Sequence, residues 1–176
     1  MPYDWFLWLE QKSSTELFRS AQNIEKYKYI PQKATPLNPD GLPIGFANND
    51  KKDAWVGLTC SACHTGQVNY GKTAMVIDGA PTMADFQTFF IDLEKAMNHT
   101  LNTDVKFERF AINVLGENYN ESSANELRSK FLEMSKSEGV SKFDTTLYNN
   151  SNAGHEYGVN LSEEQKWELM EFLKTL

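Results

Sequence analysis

The sequence predicts a mostly α-helical fold with long loops and one small β-hairpin. Apolar residues recur at helical spacing in three successive segments that follow residue 81. Prolines and glycines between residues 29 and 50 exclude a regular helix and predict a long loop. Two short runs on either side of Gly71-Lys72 have the composition of paired strands, and we expect no other sheet.

Two helices are predicted before the long loop. Residues 3–11 form an aromatic-rich amphipathic stretch, and Pro2 stands where the first turn of a helix tolerates proline. The run from Ser13 to Glu16 matches a capping box, in which two side chains satisfy free N–H groups at a helix start. This run therefore predicts a second helix that reaches about Tyr27.

A short helix and the hairpin are predicted next. Asp53 is a suitable N-cap for a helix over residues 54–64, because its carboxylate can accept hydrogen bonds from the first N–H groups. Residues 67–70 and 73–78 are predicted as the two strands of the hairpin. The short helix would carry both cysteines of the chain.

Four more helices are predicted in the rest of the chain. Three of them cover about residues 82–98, 103–115 and 122–137, and Gly116 ends the second. The run from Ser162 to Gln165 is another capping box, which predicts a terminal helix. The second half of the chain is therefore predicted to be almost entirely helical.

Length and charge restrict the class of protein. The chain has 176 residues and a net charge of -7, and its length suits one domain. Most of its aromatic residues, 12% of the chain, are predicted to fill a helical core, although flat rings also suit the walls of a pocket. A phosphate backbone requires a basic face, so we exclude nucleic-acid binding. No apolar run approaches the length needed to cross a bilayer, so we predict no transmembrane segment.

The most specific motif is Cys60-Ser61-Ala62-Cys63-His64, which contains the only two cysteines in the chain. C-x-x-C-H is the attachment pattern of haem c. On a helical turn the two thiols lie on one face, where each can add across one vinyl group of the porphyrin. His64 is then placed to ligate the iron. The motif therefore predicts one covalent haem c, with Cys60, Cys63 and His64 as its binding residues.

Two other interpretations of the cysteines are weaker. A structural zinc site needs four protein ligands, and only three histidines accompany the two thiols in the whole chain. A redox dithiol needs only C-x-x-C, so it would leave the adjacent His64 as a coincidence. It would also lack the βαβ setting that such a motif usually has.

With haem as the predicted cofactor, we expect one haem-binding domain over residues 1–176. Residues 1–53 would supply N-terminal helices and a Pro/Gly-rich wrap, in which Leu42 to Phe46 is a candidate for packing against the haem edge. Residues 54–138 would hold the haem motif, the hairpin and further helices. Residues 139–176 would provide a loop for the distal ligand and the terminal helix.

The motif identifies His64 as the fifth iron ligand, whereas several residues are candidates for the sixth. The candidates are His155, His99 and the methionines Met75, Met83, Met97, Met134 and Met170. Helical spacing assigns three of these methionines, at 97, 134 and 170, to apolar helix faces and therefore to packing. His99 is predicted just beyond a helix C-terminus, where the helix dipole favours a positive imidazole.

His155 is the favoured distal ligand. Gly154 and Gly158 flank it in a loop before the terminal helix, and glycines allow close approach of a backbone to a ligand. A surface loop histidine without a ligand is the simpler alternative. We therefore predict His64 and His155 as the two metal ligands, with the second assignment open.

Several segments together resemble a known family. They are Leu42–Phe46, Val56–Gln67, Ile77–Pro81, Asn152–Gly158, and the chain end at residues 161–162 and 172–176. As a set they resemble the first haem domain and the C-terminus of the di-haem cytochrome c proteins related to bacterial rubber oxygenase and cytochrome c peroxidase. The resemblance covers about residues 1–100 and 143–176, and it implies a cytochrome c-like fold.

The chain departs from that family in carrying one haem motif instead of two. In the family the C-terminal histidine that matches His155 looks like a distal ligand of the second haem. The chain could be a single-haem relative in which His155 ligates the only iron, or it could be incomplete. If His155 fills the sixth position, the peroxidase or oxygenase activity that the resemblance implies loses its open iron site.

Three functions follow from these expectations. The favoured one is an electron carrier with bis-histidine iron and an unidentified redox partner protein. The alternative is an enzyme with five-coordinate haem that acts on peroxide or oxygen. Such chemistry needs an acid-base group near the iron, and Glu156, next to His155, is the sole candidate that we could name. We assign no catalytic residue. The third is a subunit of an extracellular haem-conducting homo-oligomer or filament.

The start of the sequence bears on localisation. The residues after Met1 lack the basic start and apolar region of a secretory signal. Haem c is normally attached outside the cytoplasm. We therefore expect a mature chain, without its signal peptide, in the periplasm or outside the cell.

Overall fold

A computed structural model describes residues 1–48 and 54–137, together with Ser162 and Gln165. The chain divides into two compact units, Met1–Val140 and Ser141–Leu176, and the helices and strands below belong to the first. Three expectations lie outside the described residues: the Asp53 cap, the loop with His155, and the terminal helix with Met170. None of the described helices is long and apolar enough to cross a bilayer.

The described residues form five α-helices and four strands. The helices are α1 Tyr3–Trp8, α2 Ala21–Lys26, α3 Phe86–Leu101, α4 Asp104–Leu115 and α5 Glu121–Ser137. The strands are β1 Phe46–Asn48, β2 Val56–Leu58, β3 Thr65–Tyr70 and β4 Thr73–Asp78. They pair as two antiparallel two-stranded sheets, β1 with β2 and β3 with β4. The fold is therefore mostly α with small hairpins.

The core of the first unit is built mainly from aromatic side chains. Trp5 of α1 lies with its ring centroid 5.0 Å from that of Phe131 on α5 and 6.3 Å from that of Phe110 on α4. A second group joins α2 to α3, where Tyr27 and Phe89 meet edge to face at 5.4 Å. Each buried ring removes a large apolar area from water, so a few aromatics suffice for a core with modest aliphatic content.

A buried ionic cluster ties α4 to the segment after α1. Nε and one terminal nitrogen of the Arg109 guanidinium donate to the two oxygens of the Glu10 carboxylate, at 2.7 and 2.8 Å. The Lys106 ammonium lies 3.4 Å from the same carboxylate and donates to the carbonyls of Gln11 and Ser14 at 2.6 Å. Burial favours the neutral form of Glu10, but Arg109 and then Lys106 outweigh it and hold its pKa below the ordinary value.

The predicted helix from the first capping box to Tyr27 is wrong over most of its length, because only α2 is helical there. The preceding chain folds back on itself instead. Phe18 N–H donates to the Leu9 carbonyl at 2.7 Å, and Gln11 N–H donates to the Glu16 carbonyl at 2.8 Å. These bonds bury Phe18 and satisfy backbone groups that a helix would otherwise pair, so tertiary packing overrides the local signal.

The predicted helix over residues 54–64 is also wrong, and with it the expectation of a single sheet. Residues Val56–Leu58 form β2, which pairs with β1 in the register Phe46↔Leu58, Ala47↔Gly57 and Asn48↔Val56. Valine and glycine are both poor helix formers, so this segment pairs with β1 instead of forming a helix. Only a single turn of 3₁₀ helix, Cys60–Ala62, follows β2.

The hairpin, the end of α4, the helix α3 and the second capping box are present as predicted elements, although α3 has a different start. The β3–β4 hairpin turns at Gly71, which has φ +59°, and α4 ends at Gly116 with φ +53°, a conformation that favours glycine. Helix α3 starts later than predicted, at Phe86, where the Asp85 side chain accepts from the Thr88 N–H at 2.9 Å. In the second unit, Ser162 and Gln165 make both reciprocal capping-box hydrogen bonds, at 2.9 and 3.2 Å.

Candidate cofactor-attachment site

The C-x-x-C-H motif forms one closed turn. The carbonyl of Cys60 accepts hydrogen bonds from the N–H groups of Cys63, at 3.1 Å, and His64, at 2.8 Å. Cys60 and Cys63 are free thiols and exposed, and His64 is exposed as well. The motif therefore combines a fixed backbone with three side chains accessible to a ligand.

The long loop holds this turn on one side. Thr59 N–H donates to the Gly45 carbonyl at 2.8 Å. Gly45 has φ +86°, and a Cβ at this position would lie 2.2 Å from the backbone nitrogen of Ala62. Only glycine allows this approach. Leu42 and Phe46 are buried on either side of it, so this apolar part of the loop packs into the core next to the motif.

The end of the hairpin holds the turn on the other side. Gly79 N–H donates to the His64 carbonyl at 2.7 Å, and Thr82 N–H donates to the Cys63 carbonyl at 3.0 Å. The acceptors are the carbonyls of the last two residues of the motif turn. The backbone between Cys60 and His64 is therefore fixed from two directions by segments that are distant in sequence.

The hairpin that follows the motif carries an apolar face that is largely exposed. In the observed register Val68 pairs with Met75 and Gly66 pairs with Ile77, so these residues share one face of the ribbon. Val68 is 50% exposed, Met75 47% and Ile77 45%. Apolar strand residues normally face a core, so this face presents apolar surface to another group.

Two cavities are lined by residues that lie close to the motif in sequence, Leu58 in one and Thr65 in the other, and they differ in size and lining. One, of about 150 Å³, lies beside β2 and is almost wholly apolar, with Leu58, Phe90 and Met97 in its wall. Cavities of that size hold molecules comparable to benzene. The second, of about 640 Å³, lies between the hairpin and the segment after α2, with Tyr29, Val68 and Met83 in its wall. Its volume is in the range of pockets for large organic ligands.

Tyr29 lines the second cavity and interacts electrostatically with Cys63 of the motif. Its side chain is buried, and burial together with the neighbouring charges of Cys63 and Asp85 raises its pKa to about 12. The hydroxyl therefore stays protonated at neutral pH. The sequence predicts an irregular loop from Tyr29 onward, but it contains no signal that Tyr29 interacts with Cys63.

The candidates for distal ligand fall into different environments. Met97 is 3% exposed, and Met134 is half-buried against the core, as packing residues would be. His99 lies in the last turn of α3, with its Nδ1 3.1 Å from the Thr103 hydroxyl. Met75 is exposed on the hairpin, and Met83, 84% exposed, lines the larger cavity. Within residues 1–48 and 54–137, no three His, Cys, Asp or Glu side chains are grouped to hold a metal ion.

The chain was compared with family models, curated proteins and solved structures, and one uncharacterized relative was found. No family model matches the chain, and no solved structure matches it. The uncharacterized protein y4iJ of Sinorhizobium fredii is 35% identical over 137 residues, which cover 66% of this chain and 22% of that protein. The chain thus spans about a fifth of the length of the curated relative that it matches.

Proposed function

We propose that this protein is a c-type cytochrome that binds one haem covalently and transfers electrons. The observation that supports it best is the motif turn: two exposed thiols three residues apart, followed at once by an exposed imidazole, on a backbone held from both sides. These are the groups that thioether attachment and axial ligation require. The exposed apolar face of the adjacent hairpin is the kind of surface that a porphyrin covers.

Each residue of the motif has a separate role in this proposal. The thiols of Cys60 and Cys63 each add across one vinyl group: an S–C bond forms, the thiol hydrogen goes to the other vinyl carbon, and nothing leaves. His64 supplies the proximal nitrogen. The bound haem would supply a one-electron iron couple. The fixed turn would keep ligand and attachment points in place in both oxidation states.

The sixth ligand decides between an electron carrier and an enzyme. We retain His155 as the proposed distal ligand, on the sequence argument alone, because it lies outside the described residues. With two imidazoles the iron has no open position, which favours electron transfer. Because haem c is normally attached outside the cytoplasm, this proposal implies a protein of the periplasm or of the cell exterior.

The test of the cofactor is the colour and mass of the denatured chain. The protein is produced in a host that matures haem c and is then denatured in acid acetone. Because addition has no leaving group, we expect the mass of the chain to rise by one whole haem and the colour to stay with the polypeptide. The double variant Cys60→Ser, Cys63→Ser should lose both, whereas His99→Ala should keep both. A colourless chain of unmodified mass would refute the proposal.

The test of the ligand set uses the visible spectrum of the native protein. We expect low-spin ferric haem that does not bind cyanide or carbon monoxide, and high-spin haem that binds both after His155→Ala. Ligand binding by the unaltered protein would favour the peroxidase or oxygenase alternative instead. An unchanged spectrum in His155→Ala would remove His155 as a ligand.

A further inference from the structure

Lys28 has a backbone conformation that lysine normally avoids. Its φ is +64°, the one positive φ of a non-glycine residue among the residues that the structure describes. It follows the C-cap of α2, and its N–H donates to the Glu25 carbonyl at 3.0 Å. Glycine is the usual residue at such a helix end, because it adopts this conformation without steric cost. The steric cost of this conformation in lysine makes its side chain a candidate for a functional role.

The same lysine lines the larger cavity. Lys28 is exposed and, of the residues described, it is the one basic residue in the wall of the 640 Å³ space. Across that space lie Val68 and Ile77, from the apolar face of the hairpin. The cavity therefore offers an apolar wall and a cation at its edge.

Two residues of this cavity's wall are linked to the motif turn. Thr65, in its wall, directly follows His64, and Thr82, also in its wall, donates its N–H to the Cys63 carbonyl. The apolar cavity beside β2 is about a quarter of that volume, at 150 Å³ against 640 Å³, which suits a ligand the size of benzene and not a tetrapyrrole.

We infer that the larger cavity is the seat of the tetrapyrrole attached at Cys60 and Cys63, and that the Lys28 ammonium binds its carboxylates. This inference rests on the proposed function. Haem is a flat apolar ring with two carboxylate side chains, so it matches a site with an apolar wall and a basic edge. Glu25 lines the same cavity. Its negative charge repels an anionic ligand, and Lys28 is the cation that offsets it.

The first test compares three variants of the haem-loaded protein. Lys28→Gln removes the charge, and Lys28→Gly removes the charge and also relieves the backbone. Lys33→Gln is the matched control, because Lys33 is exposed in the same loop but does not line the cavity. Loss of a positive charge near the iron stabilises its ferric form. We therefore expect a lower midpoint potential in both Lys28 variants and no shift in Lys33→Gln.

The glycine variant separates charge from folding. If Lys28 serves only as the end of α2, Lys28→Gly should match the parent in potential and equal or exceed it in melting temperature. We expect no loss of melting temperature, together with the same fall in potential as in Lys28→Gln. Parent-like potentials in both variants would overturn the inference.

The second test examines which face of the hairpin the ring covers. Val68→Glu places a carboxylate in the cavity wall, and Val76→Glu places one on the opposite face of the same ribbon. The two valines are matched, at 50% and 48% exposed. We expect Val68→Glu to lower the midpoint potential and the fraction of chains with attached haem, and Val76→Glu to do neither. The reverse order, or no difference between the two, would contradict the assigned seat.

The two proposals fail in different ways. The denatured parent chain reports on attachment, as described above. If it carries no haem, the proposed function is wrong. If it carries haem while the Lys28 and Val68 variants keep the parent potential, the cytochrome assignment stands and only the location of the ring is wrong.

Discussion

The helical region and the hairpin use similar apolar residues with opposite results. Phe131 on α5 is 0% exposed and Phe110 on α4 is 1% exposed, whereas Val68 and Ile77 on the hairpin remain about half exposed. In the helical region, aromatic rings from α1, α4 and α5 cover one another. The hairpin has complete backbone pairing but no such partner for its apolar face within the described residues. The helices thus bury their apolar residues against one another, and the hairpin leaves its apolar residues about half exposed.

The largest test of this comparison truncates one apolar side chain in each region. Phe131→Ala removes a fully buried ring, so we expect a loss of about 3–5 kcal/mol in the free energy of unfolding. Val68→Ala removes a half-exposed group, so we expect a change within about 0.5 kcal/mol in the haem-free chain. Chemical denaturation of both variants measures the two values. Comparable losses would show that the hairpin face is buried in the folded chain.

The second test concerns the contact between the loop and the motif. Gly45→Ala puts a Cβ 2.2 Å from the Ala62 nitrogen at a residue with φ +86°. Backbone strain and overpacking add there, so we expect a loss of about 3 kcal/mol in the free energy of unfolding, together with poorer haem attachment. Gly71→Ala is the control, since its φ is +59° but nothing lies within 4 Å of the added carbon. Equal losses in the two variants would assign the effect to φ alone.

The third test breaks the ionic cluster that supports the helical region. Glu10→Gln leaves the buried Lys106 without its counter-charge, and we expect a loss of about 2 kcal/mol at pH 7. Glu126→Gln removes an exposed ion pair with Lys130 and should cost less than about 0.5 kcal/mol.

The same cluster predicts a pH dependence. Because the pKa of Glu10 is lower in the folded chain than the ordinary glutamate value of 4.5, its contribution to stability is complete above that pH. The contribution is lost as the pH falls through the folded-state pKa. Unfolding curves between neutral and acidic pH should show this loss in the parent and a shallower one in Glu10→Gln. Parallel curves would show that Glu10 does not carry the effect.

Elements with local signals were predictable. The hairpin follows from Gly71 between two β-rich runs, and α4 ends at Gly116 because the chain there needs a positive φ. The capping box at Ser162 also formed as predicted. The first capping box did not produce its helix, because the chain after Glu10 pairs with Leu9 and Glu10 instead. The first capping box therefore lost its helix to a tertiary pairing that its local pattern does not reveal.

The candidate site divides in the same way. The amino-acid order by itself determined the C-x-x-C-H motif, since the spacing of Cys60, Cys63 and His64 is a property of the chain. It could not identify Gly45 as the residue that packs against the turn, or Lys28 as a lysine held at positive φ beside a large cavity. Such contacts join segments far apart in sequence. They depend on which long-range pairings minimise unsatisfied backbone groups and exposed apolar area together, and only the folded chain decides that.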